Sequence, residues 1–218
     1  MRRRLGSIVG GLIAAAVWYA LALQLSSQLR TSMDWAPTLF HFFGSFTILT
    51  NTLIALVLTA PTLSLSGAER FATPSVRTAA AAYIAIVGAV HVAILREPSS
   101  ARGAQALTDL ILDKLVPLFY VVYWMLFEPH GRVGWRAAWS WLEYPAVYLG
   151  YGLVTGALTG WYLYPFMDVS TAGYARVVLG STLLLLGCLL MNLAVIALDK
   201  ALAQPDLAGV LKPENPRL

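Results

Sequence analysis

The chain has 218 residues, of which 58% are hydrophobic and only 12% charged, with a formal net charge of +4. Soluble domains carry about 25% charged residues, so an ordinary soluble globule is excluded. The single cysteine, Cys188, excludes an intramolecular disulfide and argues against a cysteine-based metal site. The positive charge fits basic loops against anionic lipid better than a nucleic-acid surface.

The apolar residues come in blocks long enough to cross a bilayer as helices, about 18 residues or more. The first expected span, residues 5–23, follows Arg2, Arg3 and Arg4. This start also has the form of a secretory signal, but its apolar run exceeds a usual signal core and favours an uncleaved anchor. The second span, residues 39–58, follows the turn-like Asp34-Trp35-Ala36-Pro37 and carries Ser45, Thr47, Thr50, Asn51 and Thr52. Helical spacing puts Thr47, Thr50, Asn51 and Ile54 on one face. The amide of Asn51 needs several partners, which points to a tie with another helix. The third span, residues 78–95, is rich in alanine and holds His91.

The fourth span, residues 107–127, carries Asp109, Asp113 and Lys114. The two carboxylates are spaced i, i+4 and share a face. Charged groups inside a span are costly, and each is a functional hypothesis by default. The fifth span covers residues 141–159. After it, residues 160–168 carry Trp161, Tyr162, Tyr164, Pro165 and Phe166, and read either as an aromatic lid at the interface or as part of an aromatic belt. The sixth span covers residues 174–198. The expected fold is therefore all-α, a polytopic membrane helix bundle of about six transmembrane helices. Residues 1–203 form one domain, and residues 204–218 a polar, disordered tail.

Lys and Arg in short loops set orientation. Six spans place Arg2, Arg3, Arg4, Arg70, Arg77, Arg132, Arg136, Lys200, Lys212 and Arg217 on one side, and Arg30, Arg96, Arg102 and Arg176 on the other. Both termini are then cytoplasmic, and His41, Thr47, His91, Asp109 and Asp113 fall in the opposite half. A polar cavity opening to that face is the expectation. The three histidines, His41, His91 and His130, are too scattered for a metal motif, so no metal or cofactor is expected. No glycine-rich phosphate loop follows a strand.

The run Phe46-Thr47-Ile48-Leu49-Thr50-Asn51 resembles the "FTxxSN" segment of the bacterial six-span Pr6Pr family. Residues 160–168 resemble its "GWYPYPFxD" segment, and Leu115-Val116-Pro117 through Trp124, Phe127, Gly131 and Arg132 also fit. That family is similar to the androgen-induced and androgen-dependent TFPI-regulating proteins, six-span threonine hydrolases of fatty acid esters. The resemblance implies a bacterial plasma-membrane protein with Thr47 at the nucleophile position. Where the bacterial relatives usually show a histidine four residues before the proline, this chain has Asp113, a carboxylate that could serve as base or as the orienter of one. Asn51 is then a positioning or oxyanion group, and Trp161, Tyr164 and Phe166 belong to a lid admitting acyl chains. His91 and Asp109 complete the candidate pocket. The implied partners are membrane lipid and a lipid substrate, with no nucleic acid. Two other readings stay open. One is a non-catalytic protein that binds or transports lipid or a small solute; the other is a relative without activity. Oligomeric state is not readable from the chain.

Overall fold

A computed structural model of the chain describes residues 1–32, 34–62, 67–94, 103–162 and 164–203. The expected tail at residues 204–218 lies outside them, as do Arg96, Arg102, Lys212 and Arg217 of the charge argument. The described residues are helical with no strand, an all-α bundle.

Helix α1, Arg2–Thr31, has 30 residues. It runs past the expected end at residue 23 because no proline or glycine interrupts residues 24–31, and Gln24 therefore lies inside a helix. The second expected span is not continuous. It is a pair, α2 (Trp35–Phe43) and α3 (Phe46–Thr59), bent by 75°. The break at Gly44-Ser45 is satisfied from two directions. Ser45 caps α3 by accepting from the Ile48 N–H, as serine does at a helix start. The Tyr148 hydroxyl donates to Gly44 O at 2.7 Å and accepts from Phe46 N–H at 3.0 Å.

Helix α4 is Pro74–Ile94. The fourth expected span is α5 (Ala104–Leu110), one π-helical turn (Ile111–Leu115) and α6 (Val116–Phe127). Pro117 accounts for the π turn. A proline lacks an N–H, and its ring crowds the carbonyl four residues back, here that of Asp113. The turn widens, the Val116 N–H bonds Ile111 O, and the Leu112 carbonyl is freed for a partner outside its own helix.

A short α7 (Ala137–Ser140) precedes α8 (Glu143–Thr159), which ends at Gly160 in the left-handed conformation, φ 73°, the usual glycine stop. A 3₁₀ turn (Pro165–Met167) and α9 (Val169–Ala172) lead into α10 (Tyr174–Ala201).

Among the described residues, four helices are long and apolar enough to cross a membrane: Arg2–Thr31, Pro74–Val92, Ala104–Phe127 and Tyr174–Ala201. The bent α2–α3 pair makes a fifth if it counts as one span. At 17 residues, α8 stands at the lower limit for a crossing helix, about 17. The expected six spans are thus four unbent spans, one broken pair and one helix at the length limit.

Helix α1 packs on α3, α5 and α6, and α4 packs on α3, α6 and α10. Ile13, Val17, Ile54, Ile84, Tyr120 and Trp124 form the centre of the core. Small residues bring helices close. A Cβ on Gly88 of α4 would stand 3.0 Å from the Pro117 Cβ of α6, so these backbones approach as nearly as glycine allows. Away from the core, large apolar side chains face outward: Leu118, Phe119, Leu158, Leu183, Leu186 and Leu190 are all at least half exposed.

Candidate active site

Thr47 is the second residue of α3, directly after the break. The first four N–H groups of a helix have no partner within it. Here Phe46 N–H meets Tyr148, Ile48 N–H meets the Ser45 side chain and Leu49 N–H meets Ser45 O. The Thr47 N–H is the one left without an acceptor among the described residues.

His91 and Asp113 come to Thr47 from two other helices. Gly88 lies one turn before His91 on α4, and Pro117 one turn after Asp113, so the Gly88–Pro117 contact also aligns the pair above it. His91 Nδ1 stands 3.8 Å from Asp113 Oδ2, within ion-pair reach but beyond a hydrogen bond. That nitrogen is buried and makes no hydrogen bond. The groups acting on the Asp113 carboxyl are His91, Asp109, the Thr47 hydroxyl and Lys114. Lys114 itself is exposed.

Two cavities meet at these residues. The larger, about 190 Å³, is lined by Thr47, His91 and Asp113 together with Phe46, Val90, Tyr148, Tyr164, Phe166, Leu184 and Cys188, among others. Its walls are mostly apolar and aromatic. The smaller, about 110 Å³, is lined by Gln24, Ser45, Thr47, Ile48, Thr108, Asp109, Leu112 and Asp113.

Tyr164 and Phe166 of the candidate lid stack at 5.5 Å between ring centroids and close one side of the larger cavity. Burial raises the Tyr164 phenol above its ordinary pKa, and its hydroxyl interacts with that of Tyr148. Glycine makes room for the lid: a Cβ on Gly156 would collide with the Tyr162 ring. Trp161 is not in this cavity. It packs edge-on against His41 at 4.1 Å, in a surface recess with Pro37, Phe40 and Thr159.

Asn51 makes the expected tie to another helix but does not line the pocket. It is fully buried and absent from the lining of both cavities. Its Nδ2 donates to Thr47 O at 2.9 Å and to Leu112 O at 3.1 Å, the carbonyl freed by the π turn. Both amide protons are committed, so Asn51 is not an oxyanion donor or a substrate contact. It holds the Thr47 backbone to the turn that carries Asp113. Asp109 accepts from Gln105 Nε2 at 2.7 Å and faces the smaller cavity, not the larger.

The sequence reading missed Tyr148, Cys188, Gln24, Ser45 and Thr108 as wall residues. Tyr144 and Tyr148, spaced i, i+4 on α8, were the one signal that could have flagged a polar face there. Gln24 gave none, because it fell beyond the expected end of the first span. Among the described residues, no group of three or more His, Cys, Asp or Glu side chains is placed to hold a metal ion. No family model, curated protein or solved structure matches the chain.

Proposed function

We propose that this chain is an integral membrane protein of the Pr6Pr type, with both termini cytoplasmic, that hydrolyses fatty acid esters with Thr47 as nucleophile. The observation that carries this reading is the joint placement of Thr47, His91 and Asp113 on one 190 Å³ cavity with otherwise mostly apolar walls. A hydroxyl nucleophile needs a base within reach and a third group to orient that base. His91 is the base, and Asp113 orients it and stabilises its charged form, the division of labour of a hydroxyl–imidazole–carboxylate triad. Catalytic hydrogen bonds are often long before substrate binds, and 3.8 Å fits that state.

The acyl chain lies against Phe46, Val90, Phe166 and Leu184. The cavity is larger than the roughly 150 Å³ apolar space that accepts a benzene ring, and the rest of a long chain extends into lipid. Charge developing on the carbonyl oxygen meets the free Thr47 N–H, the positive end of α3 and the Tyr164 hydroxyl. Such donors act strongly where water is excluded.

Detergent-purified protein treated with a fluorophosphonate probe tests the assignment. Labelling should be lost in Thr47→Ala. In His91→Ala it should slow about a hundredfold or more, the usual contribution of a general base. Undiminished labelling of Thr47→Ala removes the nucleophile assignment. Folded wild-type protein that takes no label but retains bound lipid is a binding protein instead.

A further inference from the structure

Among the described residues, Thr47 and Asp113 are the only lining residues shared by the two cavities. They form a partition with a mostly apolar space on one side and a polar one on the other. We propose that the polar cavity is the water site of the reaction, and that Gln24, Thr108 and Asp109 position the water that releases the acyl group. This rests on the reading of Thr47 as nucleophile.

The polar cavity measures about 110 Å³. Water occupies about 30 Å³ per molecule in the liquid and needs two to four polar partners where it is held. Those partners are present. Thr108, 1% exposed, donates its hydroxyl proton to Gln105 O at 2.9 Å, which leaves its oxygen lone pairs to accept. Asp109 uses Oδ1 for Gln105, and among the described residues Oδ2 remains as a further acceptor. The Gln24 side chain comes from α1 and both donates and accepts.

In the first step Thr47 Oγ1 attacks the ester carbonyl carbon. Its proton passes to His91 and then to the departing alkoxide, which leaves as the alcohol, and the acyl group stays on Thr47. The acyl chain now fills the apolar cavity and keeps water out from that side. In the second step a water oxygen from the polar side attacks the same carbon. Its proton goes to the imidazole of the His91–Asp113 pair, whose carboxylate faces both cavities, and returns to Thr47 Oγ1 as that bond breaks. The sum is ester plus water giving acid plus alcohol.

The test uses p-nitrophenyl octanoate with detergent-purified full-length protein. Gln24→Leu and Thr108→Val should still release the first equivalent of p-nitrophenol, which also reports a folded acylation site. Their steady-state turnover should fall about tenfold to a hundredfold, the scale for a misplaced reactant, and acyl-Thr47 should accumulate by peptide mass spectrometry. Thr108→Ser, which restores the hydroxyl, should restore turnover. Wild-type turnover in both variants overturns the water site while leaving the nucleophile reading intact. Loss of the first equivalent together with turnover places these residues in acylation and also overturns it. Turnover without any adduct on Thr47, in wild type and variants alike, overturns both readings.

Discussion

Asn51 and Tyr164 divide the polar roles around Thr47. The Asn51 amide bridges two backbone carbonyls, Thr47 O and Leu112 O, and Tyr164 lines the cavity itself. Their substitutions should therefore separate. Tyr164→Phe removes one hydroxyl from the cavity wall and keeps the stacked ring. It should lower kcat for an ester substrate by about a hundredfold, as loss of one oxyanion donor does, with the thermal midpoint unchanged. Asn51→Leu leaves the Leu112 carbonyl buried without a donor, at a cost of about 1–3 kcal/mol. It should lower the thermal midpoint and slow fluorophosphonate labelling together. Equal behaviour of the two variants would show that Tyr164 is structural or that Asn51 reaches substrate.

At the scale of elements, the site depends on two irregularities and one close contact. The irregularities are the 75° break between α2 and α3 and the π turn Ile111–Leu115; the contact is Gly88 against Pro117. Gly88→Val should cost about 1–3 kcal/mol by overpacking, because a proline ring cannot rotate away, and should push His91 from Asp113. A lower thermal midpoint with slower probe labelling is the expected result. Gly187→Ala on α10, where an added Cβ meets nothing within 4 Å, should instead gain about 0.5–1 kcal/mol from helix propensity. The segment between α8 and α10 has its own dependence on pH. The Asp168 carboxylate caps α9, accepting from Ser170 N–H at 2.9 Å and from the Ser170 hydroxyl at 2.6 Å. These bonds hold it below the ordinary carboxylate range. A depressed folded pKa adds stability that is complete above about pH 4 and disappears as pH falls through the folded value. Hydrogen exchange at the Ser170 amide should therefore lose protection on acidification, and Asp168→Asn, which keeps a cap, should remove that dependence. The long helices were legible from sequence because 18 or more apolar residues admit few alternatives. Pro117 and the need of Asn51 for partners were also visible. The break in the second span was not, since one of the two side chains that satisfy it is Tyr148, about a hundred residues away in the chain. Nor was the meeting of His91 with Asp113, which rests on a tertiary contact between a glycine and a proline.

For the whole molecule, the outward surface decides what solvent the bundle is built for. Leu186 is 50% exposed near the middle of α10, and Leu183 and Leu190 beside it are more exposed still. Water would oppose such a surface, since contiguous exposed apolar patches are uncommon on soluble monomers; hydrocarbon would accept it. Leu186→Arg discriminates between the two. On a water-facing helix an exposed substitution changes stability by no more than about 0.5 kcal/mol. At the centre of a membrane-crossing helix arginine costs about 2.5–3.5 kcal/mol for insertion. With α10 in lipid, the variant should show a fall of more than tenfold in the ratio of inserted to non-inserted helix, read by glycosylation mapping in microsomes. Leu198→Arg, at the end of the same helix beside Lys200, should insert normally, because a long cationic side chain there reaches the headgroups. Equal insertion of Leu186→Arg and wild type would place α10 outside the bilayer and remove the lipid route to the cavity with it.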